Sequence, residues 1–195
     1  MMKFAHDTVV PFAGSERSKK EQVEEMFDDI AGRYDFLNRF LSVGTDMGWR
    51  KKALRQLSHR PLNHMLDVAT GTGDMAIMAS RLLKPGKITG IDISDGMLAI
   101  GKDKINQLGL GGSIELLKGD SETINFNDNT FDAVTVAFGV RNFQNLEKGL
   151  SEIFRVLKPG GRLVVLEFSK PQSRLMKALY NFYMQTMAPA ICSIF

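Results

Sequence analysis

The apolar run Met65–Val68 passes into the turn Ala69–Thr70–Gly71–Thr72–Gly73 and then, from Asp74, into a segment with helical spacing. No other stretch restricts the fold so tightly. A glycine between strand and helix lets a ligand approach the backbone, because no β-carbon stands in the way. The free amides at the start of the helix then face that ligand. A second apolar run, Lys87–Ile91, ends at Asp92, nineteen residues beyond Gly73. In a doubly wound parallel sheet, an acid at about that separation reaches the hydroxyl pair of a ribose. The pattern describes a βαβ unit that holds a nucleoside.

Two nucleosides compete. Gly71-x-Gly73-x-x-Ala76 satisfies the dinucleotide pattern G-x-G-x-x-G/A, which on its own is weak and keeps an NAD-dependent oxidoreductase in view. Asp74, however, opens the helix where a pyrophosphate needs positive partial charge, and a carboxylate there repels phosphate. Asp67 at the strand end completes Asp67-x-Ala69-x-Gly71-x-Gly73, which resembles the acidic–glycine loop of class I S-adenosylmethionine-dependent methyltransferases. The methionine end of that cofactor carries an ammonium and no phosphate. On this reading Asp67, Ala69, Thr70, Gly71, Thr72, Gly73 and Asp92 bind S-adenosylmethionine. The plainer reading makes Asp67 a buried acceptor and Asp74 a helix-start residue.

The chain has 195 residues, enough for one domain with a sizeable core. Its net charge of +3 comes from scattered basic residues, so charge gives no reason to expect nucleic acid. Cys192 is the only cysteine, and the three histidines His6, His59 and His64 are dispersed, which leaves no internal disulfide and no expected metal site. The sequence has neither a secretory signal pattern nor an apolar run long enough for a membrane span, so a cytoplasmic protein is expected.

Four segments are expected: a leader at 1–18, a helical extension at 19–60, a nucleoside-binding core at 61–170 and a final helix at 171–195. In the extension Gly32 is expected to interrupt the helix, and Asp46 to cap a later one, with Pro61 closing the unit. The core alternates strands (Met65–Val68, Lys87–Asp92, Ile114–Lys118, Ala133–Ala137, Arg162–Phe168) with helices (Asp74–Leu83, Ser94–Leu108, Leu146–Leu157). The last of those helices is expected to stop at Pro159–Gly160–Gly161. Short apolar strands separated by helices imply an α/β fold with a doubly wound, mostly parallel Rossmann-like sheet. Ligands then lie beyond the carboxyl ends of the strands. That adds Ile93 and Met97 after strand two, Asp120 and Ser121 after strand three, and Ala137 to Asn142 after strand four. Asp120 suits an adenine amine, or equally a turn after Gly119.

Beyond that general class, Tyr34–Asp35–Phe36–Leu37–Asn38, Leu41–Ser42, Trp49, Asp128–Asn129–Thr130–Phe131–Asp132, Phe138–Gly139–Val140–Arg141–Asn142 and Arg155–Ser169 are similar to the ubiquinone/menaquinone biosynthesis C-methyltransferases. The resemblance runs from about Val23 to about Pro189. It departs at Leu37, where the family often has Met, and at Asp46, where many members have His. Ala137 replaces a Ser that contacts the cofactor in some members, so a contact there falls to backbone. The family also usually continues with two closing strands and a helix. The chain is therefore expected to be a segment of a longer protein, with Arg162–Phe168 as an edge strand.

The resemblance implies methylation of a ring carbon in a prenylated quinol, demethylmenaquinol first, with S-adenosylmethionine as donor. It places Arg141 beside the developing phenolate or its water, Asn142 on the hydroxyl, and Tyr34 over the pocket. An Asn/Asp–Pro–Pro–Tyr/Phe motif, which would steady an amine substrate, is missing after strand four. Phe36, Leu37, Phe40 and Leu41, with Leu175, Leu179, Phe182, Tyr183 and Met187, suit either a greasy entrance for the prenyl tail or ordinary core. The reading leaves open a transient contact of the last helix with the inner membrane surface, and a homo-oligomer. The remaining alternative is a catalytically silent S-adenosylmethionine-binding protein.

Overall fold

The computed structural model describes residues 9–12 and 14–169. Its elements follow in the order α1 (Lys19–Leu41), α2 (Thr45–Arg55), β1 (His64–Val68), α3 (Asp74–Leu82), β2 (Lys87–Asp92), α4 (Asp95–Gln107), β3 (Ile114–Lys118), β4 (Phe131–Ala137), α5 (Leu146–Val156) and β5 (Leu157–Leu166). The five strands form one sheet in the order β3-β2-β1-β4-β5, and every pairing is parallel. The chain builds outward from β1 through β2 to β3, then returns to lay β4 on the other side of β1. A crevice opens where that order reverses, between the carboxyl ends of β1 and β4.

Alternate residues of the central strands enter separate apolar layers, which is why these strands read as unbroken apolar runs. Met65, Ile88 and Ala133 pack with Leu54, Met75, Leu98 and Ile105 of the helices on one face. Leu66, Val68, Val134 and Val136 pack with Ile153 and Val156 of α5 on the other. Gly90 is required by crowding, since a β-carbon there would lie 2.5 Å from Leu116 Cδ2 and 2.8 Å from Thr70 Oγ1.

The extension departs from the sequence expectation in three ways. Helix α1 runs unbroken through Gly32, which faces open space and costs the helix only about 1 kcal/mol. The N-terminus of α1 is fixed by a capping box, with the Glu21 amide donating to the Ser18 hydroxyl and the Ser18 amide to the Glu21 carboxylate. Helix α2 starts at Thr45 after left-handed Gly44, one residue before the expected cap. Asp46 instead turns inward, where it accepts from the Ser42 hydroxyl. At the other end, α5 stops at Val156 and β5 already begins at Leu157, ahead of Pro159–Gly160–Gly161. Leu157 pairs with Phe131 and Arg162 with Ala133, so Lys158–Gly161 bulge out of the ladder between them. Among the described residues β5 is an edge strand. The segment 171–195, with its candidate entrance residues and Cys192, lies outside the described residues.

Helix α4 starts at the expected cap. Ser94 is fully buried, its hydroxyl accepting from the Met97 amide and donating to Asp28 Oδ1 of α1 at 2.6 Å. Asp28 also accepts from the Gly96 amide, so α1 completes the cap from outside the helix. Ser94→Ala removes the cap and one of the Asp28 contacts. It is expected to lower unfolding free energy by about 1–2 kcal/mol in a urea titration; an unchanged midpoint would contradict this account of the α1–α4 junction.

Candidate active site

The crevice is an open cleft enclosing about 650 Å³, part of it open solvent. Four loops and one helix wall it. Ala69 and Gly71 come from the loop after β1, Asp92, Ile93 and Met97 from β2 and the start of α4, and Gly119 to Glu122 from the loop after β3. Ala137, Phe138, Gly139, Asn142 and Phe143 follow β4, and α1 covers the opening with Lys20, Val23, Phe27 and Tyr34. A short 3₁₀ turn at Val140–Asn142 aims Asn142 into the cleft.

The loops after β1 and β4 touch closely. Both begin with a left-handed residue that is not glycine, Ala69 at φ 54° and Phe138 at φ 60°. Strain of this kind gathers at functional sites, where the surrounding structure holds it in place. A β-carbon on Gly139 would stand 2.5 Å from the Ala69 β-carbon, so glycine is the residue that lets these loops meet. Beneath them Asp67 is buried, its oxygens accepting from the Thr70 and Thr135 hydroxyls, each at 2.6 Å. Burial pushes its carboxyl up to about 6, against the lowering effect of the Thr135 and Thr70 hydrogen bonds.

Asp92 stands at the cleft wall as its spacing predicts. One oxygen accepts from the Gly71 amide at 2.7 Å and the other from the Ser94 amide at 3.0 Å. Burial raises its pKa, and those amides partly offset the rise. Each oxygen keeps lone-pair capacity for a ligand hydroxyl. Asp120 takes the turn position expected after Gly119. It also lines the cleft, and accepts from the Glu122 amide and from Lys20 Nζ at 2.5 Å. Burial alone would raise its pKa; the Glu122 amide and Lys20 ammonium outweigh it and hold the carboxyl below its ordinary value.

The expected residues divide into three groups. Ala69, Gly71, Asp92, Ile93, Met97, Asp120, Ser121, Ala137, Tyr34 and Asn142 meet around one cleft. Asp67, Thr70 and Thr72 lie in a smaller hollow behind the loop, and buried Gly73 supplies the left-handed turn at φ 78°. Arg141 does neither. It is half-exposed, its guanidinium donating to Glu167 at 3.0 Å and lying 5.4 Å over the Phe168 ring. Asp74 also differs from its sequence reading. Lys104 at 2.5 Å and Arg39 at 3.2 Å neutralise it, so it exerts little repulsion on an anion at the helix start. Lys20, Val23 and Phe27 were not expected. The only sequence signal for them was that the helical extension must pack somewhere beside the strand ends.

A cleft at the switch point of a 3-2-1-4-5 parallel sheet, covered by an N-terminal helix, is the arrangement of the Rossmann-like fold of class I methyltransferases. A solved S-adenosylmethionine-dependent methyltransferase from Aquifex aeolicus superposes with a TM-score of 0.57 at 29% identity, covering 64% of this chain and 66% of its own. The profile of the ubiE/COQ5 methyltransferase family matches residues 15–195, and the chain belongs to that family. Relatives include a demethylmenaquinone methyltransferase of Bacteroides fragilis, 45% identical over 97% of this chain and 77% of its own length. A ubiquinone/menaquinone biosynthesis C-methyltransferase of Geobacter sulfurreducens is 49% identical over 91% of this chain and 70% of its own.

Two outcomes follow from this geometry. A carboxyl raised from its ordinary 3.8 to about 6 binds protons more tightly folded than unfolded, so its stabilising contribution grows as pH falls through 6 and fades as pH rises through it. Wild type should therefore gain about 1 kcal/mol relative to Asp67→Asn between pH 7 and pH 5. Parallel pH dependences in calorimetry would contradict the burial of that charge. Gly139→Ala should force the β1 and β4 loops apart and weaken nucleoside binding at least tenfold by calorimetry, with the protein still folded by circular dichroism.

Proposed function

We propose that the protein transfers a methyl group from S-adenosylmethionine to a ring carbon of a prenylated quinol, converting demethylmenaquinol to menaquinol. The observation that carries this reading is the 45% identity, over 190 residues, with a relative whose name states the reaction. The benzoquinol version stands as the second substrate because the Geobacter sulfurreducens relative carries both quinones in its name. A prenylated quinol is dissolved in lipid, which implies work at the inner membrane surface by a cytoplasmic protein.

The residues suit that cofactor. Asp92 offers acceptors to the ribose hydroxyls, Ile93 and Met97 an apolar wall for adenine, and Asp120 or Ser121 a polar partner for its amine. Ala69, Gly71 and the Ala137 backbone approach the methionine portion, while Asp67, Thr70, Thr72 and Gly73 hold the loop in shape. The cofactor supplies an electrophilic methyl group on a sulfonium.

The chain's own residues have three tasks. The ring carbon becomes nucleophilic when a neighbouring hydroxyl gives its proton to water, which also takes the ring proton once the methyl group has arrived, so that hydroxyl must be oriented, a task that suits Asn142 in the cleft. The carbon must be aligned with the methyl group and water kept out, which Tyr34 serves from α1. The developing phenolate needs a positive partner. Arg141 takes that role by exchanging its contact with Glu167 for the phenolate.

S-adenosylhomocysteine should raise the melting temperature and NAD should not, because only a ligand of the folded state stabilises it. Labelled methyl from the cofactor should appear in the quinol extract; binding without transfer would instead fit the catalytically silent protein. Asp92→Ala should weaken cofactor affinity by about 2–3 kcal/mol, the worth of hydrogen bonds to a charged group, and unchanged calorimetric affinity would remove Asp92 from the site.

A further inference from the structure

The turn that joins α1 to α2 and the helix ends beside it present partly exposed apolar side chains. Phe36 and Phe40 stack at 5.7 Å between centroids yet stay about half-exposed, and Val43 at the tip is 83% exposed. Met47 and Trp49 on α2 are exposed as well. Val43 is also strained, a β-branched residue held at φ 51°. A strained apolar residue left in water gains nothing for the free protein, and apolar surface of this kind marks an interaction site.

The surrounding charge selects the partner. Between Arg39 and Arg55 the chain has five basic residues and one acid, Asp46. Asp46 is buried and held by Ser42, with Arg50 at 3.7 Å, whereas Lys51, Lys52 and Arg55 are exposed. Aromatic and aliphatic groups rimmed by lysine and arginine match the headgroup region of an anionic bilayer. A second copy of the chain would bring the same positive rim against itself, which is unfavourable. No described helix is long and apolar enough to cross a membrane, so contact would be in the surface plane.

The patch also connects with the cleft. Trp49 meets the Phe168 ring edge-on at 5.7 Å, and Phe168 stacks at 4.8 Å on Phe138, which lines the cleft. We propose that the α1–α2 turn docks on an anionic lipid surface and that the Trp49–Phe168–Phe138 row guides the prenyl chain from lipid to cleft. The second part rests on the substrate proposed above.

Trp49 is the only tryptophan in the sequence and therefore reports directly. Vesicles of phosphatidylglycerol and phosphatidylcholine should shift its emission to the blue and carry the protein into the pellet, pure phosphatidylcholine should do so at least tenfold more weakly, and salt should reverse the effect. Val43→Glu with Met47→Glu should weaken vesicle binding at least tenfold while methyl transfer to a short-chain quinol in solution stays unchanged. No emission shift and no sedimentation at low salt would overturn the docking surface, as would a dimer in analytical ultracentrifugation that this double substitution abolishes. Vesicle binding by a protein that transfers no methyl group supports the surface and overturns the reaction instead.

Discussion

A carboxylate buried without an ion pair among the described residues organises the centre of this fold. Asp67, the penultimate residue of β1, faces inward, and two threonine hydroxyls replace its water, Thr70 from the glycine loop and Thr135 from β4. Leaving either oxygen unpaired would cost several kcal/mol, so the loop and the neighbouring strand are held to one arrangement. That arrangement brings Gly139 against Ala69, and both residues line the crevice. Ligand geometry at the strand ends therefore depends on a group that does not itself line the cleft.

Much of this was legible in the sequence because the governing signals are local. Strands β2 and β3 have the expected limits, and β1 differs by one residue, since their buried positions are mostly apolar and turn residues flank them. Once those strands are parallel, Gly71, Asp92, Asp120 and Ala137 have to emerge at one edge. The differences arise from partners distant in the chain. Arg141 rests on Glu167 just beyond β5, a contact that its proposed role requires it to exchange, and Asp74 loses its expected field to Lys104 and Arg39. The Gly160 turn reads as a stop between helix and strand, yet pairing on both sides of it makes the turn a bulge within β5.

Helix α1 was the least legible element, for a physical reason. It buries only Lys19, Gln22, Val23 and Ala31, so it has no apolar stripe to show which face is inward. The loops that it covers expose backbone amides, hydroxyls and charged groups at the end of a parallel sheet. An apolar helix laid over them would leave those groups without partners. The helix meets them with polar side chains instead: Lys20 on Asp120, Asp28 on Ser94 and Gly96, and Asp35 on Thr72 and Lys104.

A polar seam has consequences that an apolar one would not. Its partly exposed ion pairs are screened by salt and contribute modestly, whereas its hydrogen bonds are directional and fix where the helix lies. The contacts also run the length of α1, from Lys19 on the Arg141 carbonyl to Arg39 on Asp74. The last of them sits one residue before Phe40 and four before Val43. The exposed apolar tip is thereby tied to the helix start that follows the glycine loop, and its direction relative to the cleft is set by the same charges that shape the cleft. A surface that must present a substrate to a site needs that fixed relation more than it needs a strong interface.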